Sequence, residues 1–214
     1  MAPQSPRTAI SEIELAAEPE RWSQAGFDVE DGGASIGSIA LTLAGADAGR
    51  RIVRWVLDGV TSIDLDGLPT DAGDAKAPSG VAHAHPNGVV RVDHVVAFSP
   101  DLKRTVTALE AAGLDLRRVR EGPTPAGAQR QAFFRLGESI LEVVEHPPGT
   151  PAAADRDAPA GFYGLAFGVE DLDVAARRLG PLLGEPRDAV QPGRRIATVR
   201  REAGLGLPVA LITV

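Results

Sequence analysis

An α+β fold built from repeated βαβββ modules is what this sequence predicts, and three observations predict it. The segment Val92-Asp93-His94-Val95-Val96-Ala97-Phe98-Ser99-Pro100-Asp101-Leu102 returns roughly seventy residues later as Phe162-Tyr163-Gly164-Leu165-Ala166-Phe167-Gly168-Val169-Glu170-Asp171-Leu172. Each copy is followed by the same order of patterns, a helix and then three strands. The chain has 214 residues, 43% of them hydrophobic, so it can bury a core. A βαβββ unit has a one-sided sheet that needs a partner, and a second copy supplies one.

Residues 1–68 read as a degenerate first module. Ile10 to Ala17 is a strand, Pro19 to Ala25 a short helix, and Ser35 to Leu43 another strand, with more strand content at Arg51 to Leu57 and Thr61 to Leu65. A linker at 69–87 is rich in Asp, Gly and Pro. The middle module, 88–146, opens on the β-branched run Val89 to Phe98. Ser99 is the expected N-cap, with Pro100 at the first helical position and Asp101 in the first turn. Leu102, Val106 and Leu109 then share a helical face, and Gly113 ends the helix. Leu116 to Val119 is a short strand, and Gln129 to Leu136 and Ser139 to Glu145 form a hairpin turning at Gly137-Glu138. After a second linker, 147–160, the module at 161–214 repeats this order. Its strand runs from Tyr163 to Val169 and its helix from Asp171 to Leu179. A short segment follows at Arg187 to Val190, and the final hairpin is Arg194 to Arg201 with Leu207 to Val214.

Composition excludes several functions. A net charge of −7 argues against nucleic-acid binding, which wants a basic surface. The absence of cysteine removes disulfides, thiolate metal sites and cysteine nucleophiles. No apolar run nears the ~20 residues that span a bilayer, and the first residues lack the apolar stretch of a signal peptide, so the expectation is a cytoplasmic protein without a membrane partner. Gly33-Ala34-Ser35-Ile36-Gly37 matches the nucleophile-elbow spacing, but a strand follows where that motif needs a helix, so Ser35 reads as a turn residue. The glycines around Gly45 and Gly49 do not lead from strand to helix as a dinucleotide site would.

A module whose first strand carries Asp93-His94-Val95 followed by Pro100-Asp101-Leu102, and whose last strand reads Leu141-Glu142-Val143-Val144-Glu145, resembles the vicinal-oxygen-chelate superfamily. That superfamily includes glyoxalase I, bleomycin-resistance proteins, extradiol dioxygenases and methylmalonyl-CoA epimerase. The resemblance covers 88–214 well and 9–66 loosely. It implies modules curling into a curved, cup-shaped mixed sheet with helices on the outer face. It also implies a divalent ion held by imidazole and carboxylate groups from the first and last strands of each module, with positions open to vicinal substrate oxygens. His94 matches the first-strand histidine and Glu142 the last-strand glutamate. The same positions of the last module are Gly164 and either Ala210 or Leu211, which offer no donor. Half of the implied ligand set is therefore missing. Glu12, His83, His85, Glu145 and His146 are the candidates to complete it. Zinc, nickel, manganese and iron are not distinguished, and a protein with no metal is the other outcome.

Arg194, Arg195, Arg200 and Arg201 cluster on the penultimate strand, and alternation divides them between its two faces. Arg195, with Phe133 and Gln131 of the middle module, is the candidate lining for a small, anionic organic molecule. Two functional classes stay open. One is a glyoxalase-like lyase, isomerase or dioxygenase working through a degenerate metal site. The other is a metal-free binding protein of the drug-sequestering kind. A cup filled by its own side chains and serving interactions alone is a third. A homodimer is expected, because the first module has no intramolecular twin.

Overall fold

The structure, a computed structural model, describes residues 8–74, 84–124 and 127–214. The first block runs β1 (Ala9–Leu15), α1 (Pro19–Gln24), β2 (Gly33–Ile36), β3 (Ile39–Leu43) and β4 (Ile52–Asp58), followed by β5 (Thr70–Gly73). The second runs β6 (Val89–Ser99), α2 (Leu102–Ala111), β7 (Asp115–Thr124), β8 (Gly127–Leu136) and β9 (Ser139–Glu145), with the short α3 (Pro151–Ala154) after it. The last runs β10 (Gly161–Val169), α4 (Leu172–Leu179), β11 (Arg187–Asp188), β12 (Arg195–Thr198) and β13 (Val209–Thr213). The fold is α+β, and the βαβββ order recurs as expected. No helix among the described residues is long and apolar enough to cross a membrane.

Four local expectations are corrected. Ser35 to Leu43 is not one strand: β2 and β3 form a hairpin with Ile36 opposite Ile39, and Gly37, at φ +60°, turns it. Thr61 to Leu65 forms no strand, because Ser62 Oγ accepts from the Asp64 N–H at 3.1 Å and bends the chain. The extra strand is β5, inside the region read as a linker. It pairs parallel to β4, and the Trp55 indole N–H donates to Thr70 Oγ1 at 2.7 Å. The cap of α2 is Asp101, not Ser99. Asp101 Oδ1 accepts from the Arg104 N–H at 3.2 Å, while Ser99 ends its strand by accepting from the His146 N–H at 2.9 Å. Asp171 caps α4 in the same way, from Asp173 and Val174.

The described residues cluster into two compact units, and the division falls within β1, β4, β6 and β10. The first unit comprises residues 8–10, 54–74 and 95–163. Its strands lie in the order β6-β9-β8-β7, counting only the part of β6 from Val95. The face turned to α2 buries Val95, Ala97, Phe134, Leu136, Leu141 and Val143 against Leu102 and Leu109. Beneath α2 a polar knot is fully bonded. Arg104 Nε donates to Asp66 at 2.7 Å, and Ser99 and Thr105 share a hydroxyl bond at 2.6 Å.

The second unit comprises residues 11–53, 84–94 and 164–214. It holds the order β2-β3-β1, counting β1 from Ser11, and the order β11-β12-β13-β10, counting β10 from Gly164. Trp22, Phe27 and Phe167 cluster with ring centroids 4.7 to 5.9 Å apart, and the Trp22 indole donates to the Leu205 carbonyl. β10 and β13 run parallel with Ala166 opposite Ala210.

The hydrogen bonds closing each module resolve how the two copies align. His146 N–H donates to Ser99 O at 2.9 Å, and Val214 N–H donates to Val169 O at 3.0 Å. The equivalence of these bonds puts Glu142 opposite Ala210 rather than Leu211. At Gly164 a Cβ would stand 2.3 Å from the Pro208 carbonyl oxygen, the same oxygen that accepts from the Leu165 N–H at 3.1 Å. A side chain there would push apart the start of the β10–β13 ladder. Gly164→Ala is expected to cost about 2–3 kcal/mol of stability in urea unfolding. Gly161→Ala, where the added methyl meets nothing within 4 Å, is expected to change stability by less than about 1 kcal/mol.

Candidate functional site

In the first unit, alternation along the strands builds a polar and aromatic face opposite α2. On β8 it presents Gln131, Phe133 and Arg135, which pair with Val144, Glu142 and Ile140 of β9. Gln131 Nε2 donates to Glu142 Oε1 at 2.8 Å, which orients the carboxylate. From β7, the Arg118 guanidinium carbon lies 6.0 Å from the centre of the Phe133 ring. A bulge between Leu116 and Arg118 leaves Arg117 without a cross-strand partner and turns the basic edge of β7. Arg130 bridges Glu121 at 2.9 Å and Glu145 at 3.5 Å. Arg135 Nε donates to the Gly137 carbonyl at 2.6 Å.

In the second unit the corresponding face is made mostly of small residues. Gly164, Ala166 and Gly168 of β10 lie on it with Ala210 and Ile212 of β13. It is covered by the unit's own charges. A Cβ on Gly168 would meet Arg91 Cγ at 2.9 Å, so Arg91 passes directly over the strand. Arg91 donates to Asp93 at 3.1 Å, and Arg194 grips both Asp93 oxygens at 2.6 and 3.3 Å. The His94 Nδ1–H donates to Asp93 Oδ2 at 3.1 Å, which orients the ring. Burial would raise the Asp93 pKa. The hydrogen bonds from His94 and Arg194, with the charge of Arg194, hold it well below the usual carboxylate range.

The sequence-derived candidates are distributed as follows. Gln131, Phe133 and Glu142 come together on the face of the first unit. His94 is the last residue of its segment in the second unit, beside Asp93. Glu12, on β1, accepts from Thr42 of β3 at 3.2 Å. His85 is buried, with Nδ1 accepting from the Asp28 N–H at 3.0 Å and Nε2–H donating to the Ser35 carbonyl at 3.1 Å. Both nitrogens thus brace the backbone. His83 lies outside the described residues. His146 stacks on Phe98 at 5.1 Å and 18°, and burial lowers its pKa. Arg195 pairs with Asp173 of α4 at 3.0 Å, whereas Arg194 reaches Asp93.

These donors do not fit the ion that the resemblance implied. Gly164 admits no side chain, Ala210 has no donor atom, and no group of three or more His, Asp or Glu placed to hold an ion occurs among the described residues. Sequence reasoning missed the Asp93 network and the basic edge of β7. The run Arg117-Arg118-Val119-Arg120 was the available signal for the second.

Residues 92–206 match the model of the family described as a glyoxalase-like domain. No curated protein matches the chain. Among solved structures it is similar to methylmalonyl-CoA epimerase from Mycobacterium tuberculosis, at 21% identity over 63% of this chain and 93% of that one, with a TM-score of 0.49. It is also similar to a variant of the Streptomyces coelicolor methylmalonyl-CoA epimerase in complex with 2-nitronate-propionyl-CoA, at 25% identity, 58% and 97% coverage and a TM-score of 0.47. A hypothetical protein from Bacillus halodurans matches at 18% identity, 58% and 94% coverage and a TM-score of 0.47.

The depressed Asp93 pKa has a pH consequence. The unfolded-state value is about 3.9, so the contribution of Asp93 is whole above about pH 5 and is lost as the pH falls toward the folded value. Asp93→Asn strands two guanidinium groups around a neutral amide and is expected to cost about 2–3 kcal/mol at pH 7. In unfolding curves the gap between the two proteins should narrow below pH 4. A gap that stays constant down to pH 2 would remove the assigned role.

Proposed function

The chain belongs to the glyoxalase-like domain family, and from that premise we propose that it binds a small organic molecule on the Gln131–Phe133–Glu142 face without a resident metal ion. The observation that carries this reading is the pairing of an aromatic platform with fixed polar groups. Phe133 offers a flat apolar surface with the Arg118 cation 6.0 Å from its centre, and beside it the Gln131 amide holds the Glu142 carboxylate at 2.8 Å. Small-molecule sites are built this way, with apolar area for affinity and a few placed polar groups for orientation. The equivalent face of the second unit carries small residues crossed by Arg91, which leaves it no comparable platform.

Elemental analysis of protein purified without chelators tests the metal clause. Divalent ions well below one per chain, unchanged by His94→Ala or Glu142→Ala, are expected. A full equivalent of one ion, lost in both variants, would overturn it. Calorimetric titration with arylalkyl acids and esters tests the platform: Phe133→Ala should weaken binding of both by about tenfold or more.

A further inference from the structure

The face just described ends at a cavity of about 660 Å³, lined by Thr8, Gly113, Asp115, Arg117, Arg135, Gly137 and Ile140. We infer that this cavity is an anion subsite, and that the molecule bound on the Phe133 face is elongated, with a carboxylate or phosphate at one end seated between Arg117 and Arg135. The inference rests on the reading of the Phe133 face and names the class of ligand it takes.

The cavity has braced walls. Thr8 is buried and ties two turns together: its hydroxyl donates to the Gly113 carbonyl at 3.2 Å, and its carbonyl accepts from the Gly137 N–H at 3.0 Å. Both glycines have positive φ, +91° and +62°, so these turns hold shapes that other residues adopt poorly. The two arginines reach the cavity by different devices. Arg135 pairs across from Ile140, and its Nε bond to the Gly137 carbonyl anchors the guanidinium while its terminal nitrogens are left to a ligand. Arg117 follows the core-facing Leu116, so alternation places it on the same side as Asp115 and Arg135, and the bulge at this point lets Arg118 share that side. Its ion pair with Asp115, at 3.1 Å, has both side chains more than half exposed (62% and 59%). Such a pair is weak, and an incoming carboxylate or phosphate can displace it. Two guanidinium groups face one carboxylate, so the cavity carries a net positive charge.

Strand geometry turns this into a ruler. Residues two apart on β8 stand about 7 Å from one another along the strand, which spaces Arg135, Phe133 and Gln131 in a line about 13 Å long. A ligand anchored by its anion at Arg135 would lay apolar body over Ile140 and Phe133. Its far end would then meet the Gln131–Glu142 pair, where a hydroxyl or amide donor suits the carboxylate.

Titration calorimetry on the full chain tests this with 4-phenylbutyrate, 3-phenylpropyl phosphate and methyl 4-phenylbutyrate. The carboxylate or the phosphate, whichever is the preferred anion, should bind at least about tenfold more tightly than the ester. Arg135→Ala and Arg117→Ala should each remove most of that preference. Arg135→Lys should keep part of it, and Arg177→Ala on α4 should leave it intact. Equal binding of acid and ester, with both lost in Phe133→Ala, would overturn the anion subsite and leave the platform standing. Acid binding kept in Phe133→Ala but lost in Arg135→Ala would do the reverse. No binding of any of the three would overturn both.

Discussion

A single close approach between two backbones decides what kind of site this chain can carry. Where β10 meets β13, the Pro208 carbonyl accepts from the Leu165 N–H and at the same time occupies the space a Cβ on Gly164 would need, 2.3 Å away. The parallel ladder of β10 and β13 begins at that bond, and the burial of Leu165, Phe167, Val209 and Leu211 follows from it. Glycine at 164 is thus a condition of how this module pairs its strands, and a side chain with a donor atom cannot be placed there without moving the ladder. The loss of a ligand position is here a packing constraint before it is a chemical one.

The same face shows what replaces ligand chemistry once its residues are small. Arg91 crosses Gly168, and Arg91, Arg194 and His94 converge on one buried carboxylate, Asp93. A buried charge is tolerable only when it is paired and hydrogen-bonded, and Asp93 has three cation-capable partners. The network also orients the His94 ring, so the histidine is held by its own neighbour in sequence. Charge that in an open site would face a ligand is consumed here in holding the unit together.

How much of this could be read from the residues follows from what determines each feature. The repeat was legible because strand, cap and helix are local: Asp101-Leu102 and Asp171-Leu172 open both helices, and each aspartate accepts backbone N–H bonds as a cap does. The metal-position mismatch at Gly164 was legible for the same reason. The last strands were ambiguous by one residue because the connections before them differ in length, and only the closing bonds of His146 and Val214 set the alignment. Alternation separated Arg194 from Arg195 but could not say which one faces α4, since that depends on the side of the sheet the helix covers. His85 looked like a linker residue because prolines and glycines surround it. Its burial comes from backbone groups of Asp28 and Ser35, far away in sequence. Strand β5 was hidden by its poor propensity, which pairing with β4 overrides.

Arg117 is the instructive failure, because nothing in its composition announces a bulge. An extra residue in a strand shifts every later side chain to the other face unless the backbone absorbs it. Between Leu116 and Arg118 the backbone does absorb it, so Leu116 still faces Phe134 and Arg118 still faces Phe133. Without the bulge, Arg117 would take the place opposite Phe133, Arg118 would face the core beneath α2, and Val119 would turn away from Ala132. The bulge therefore keeps β7 in step with the aromatic face while adding one guanidinium at the end of it. That guanidinium stands beside two turns pinned by Thr8, at the end of the strand positions that carry Phe133 and Arg118.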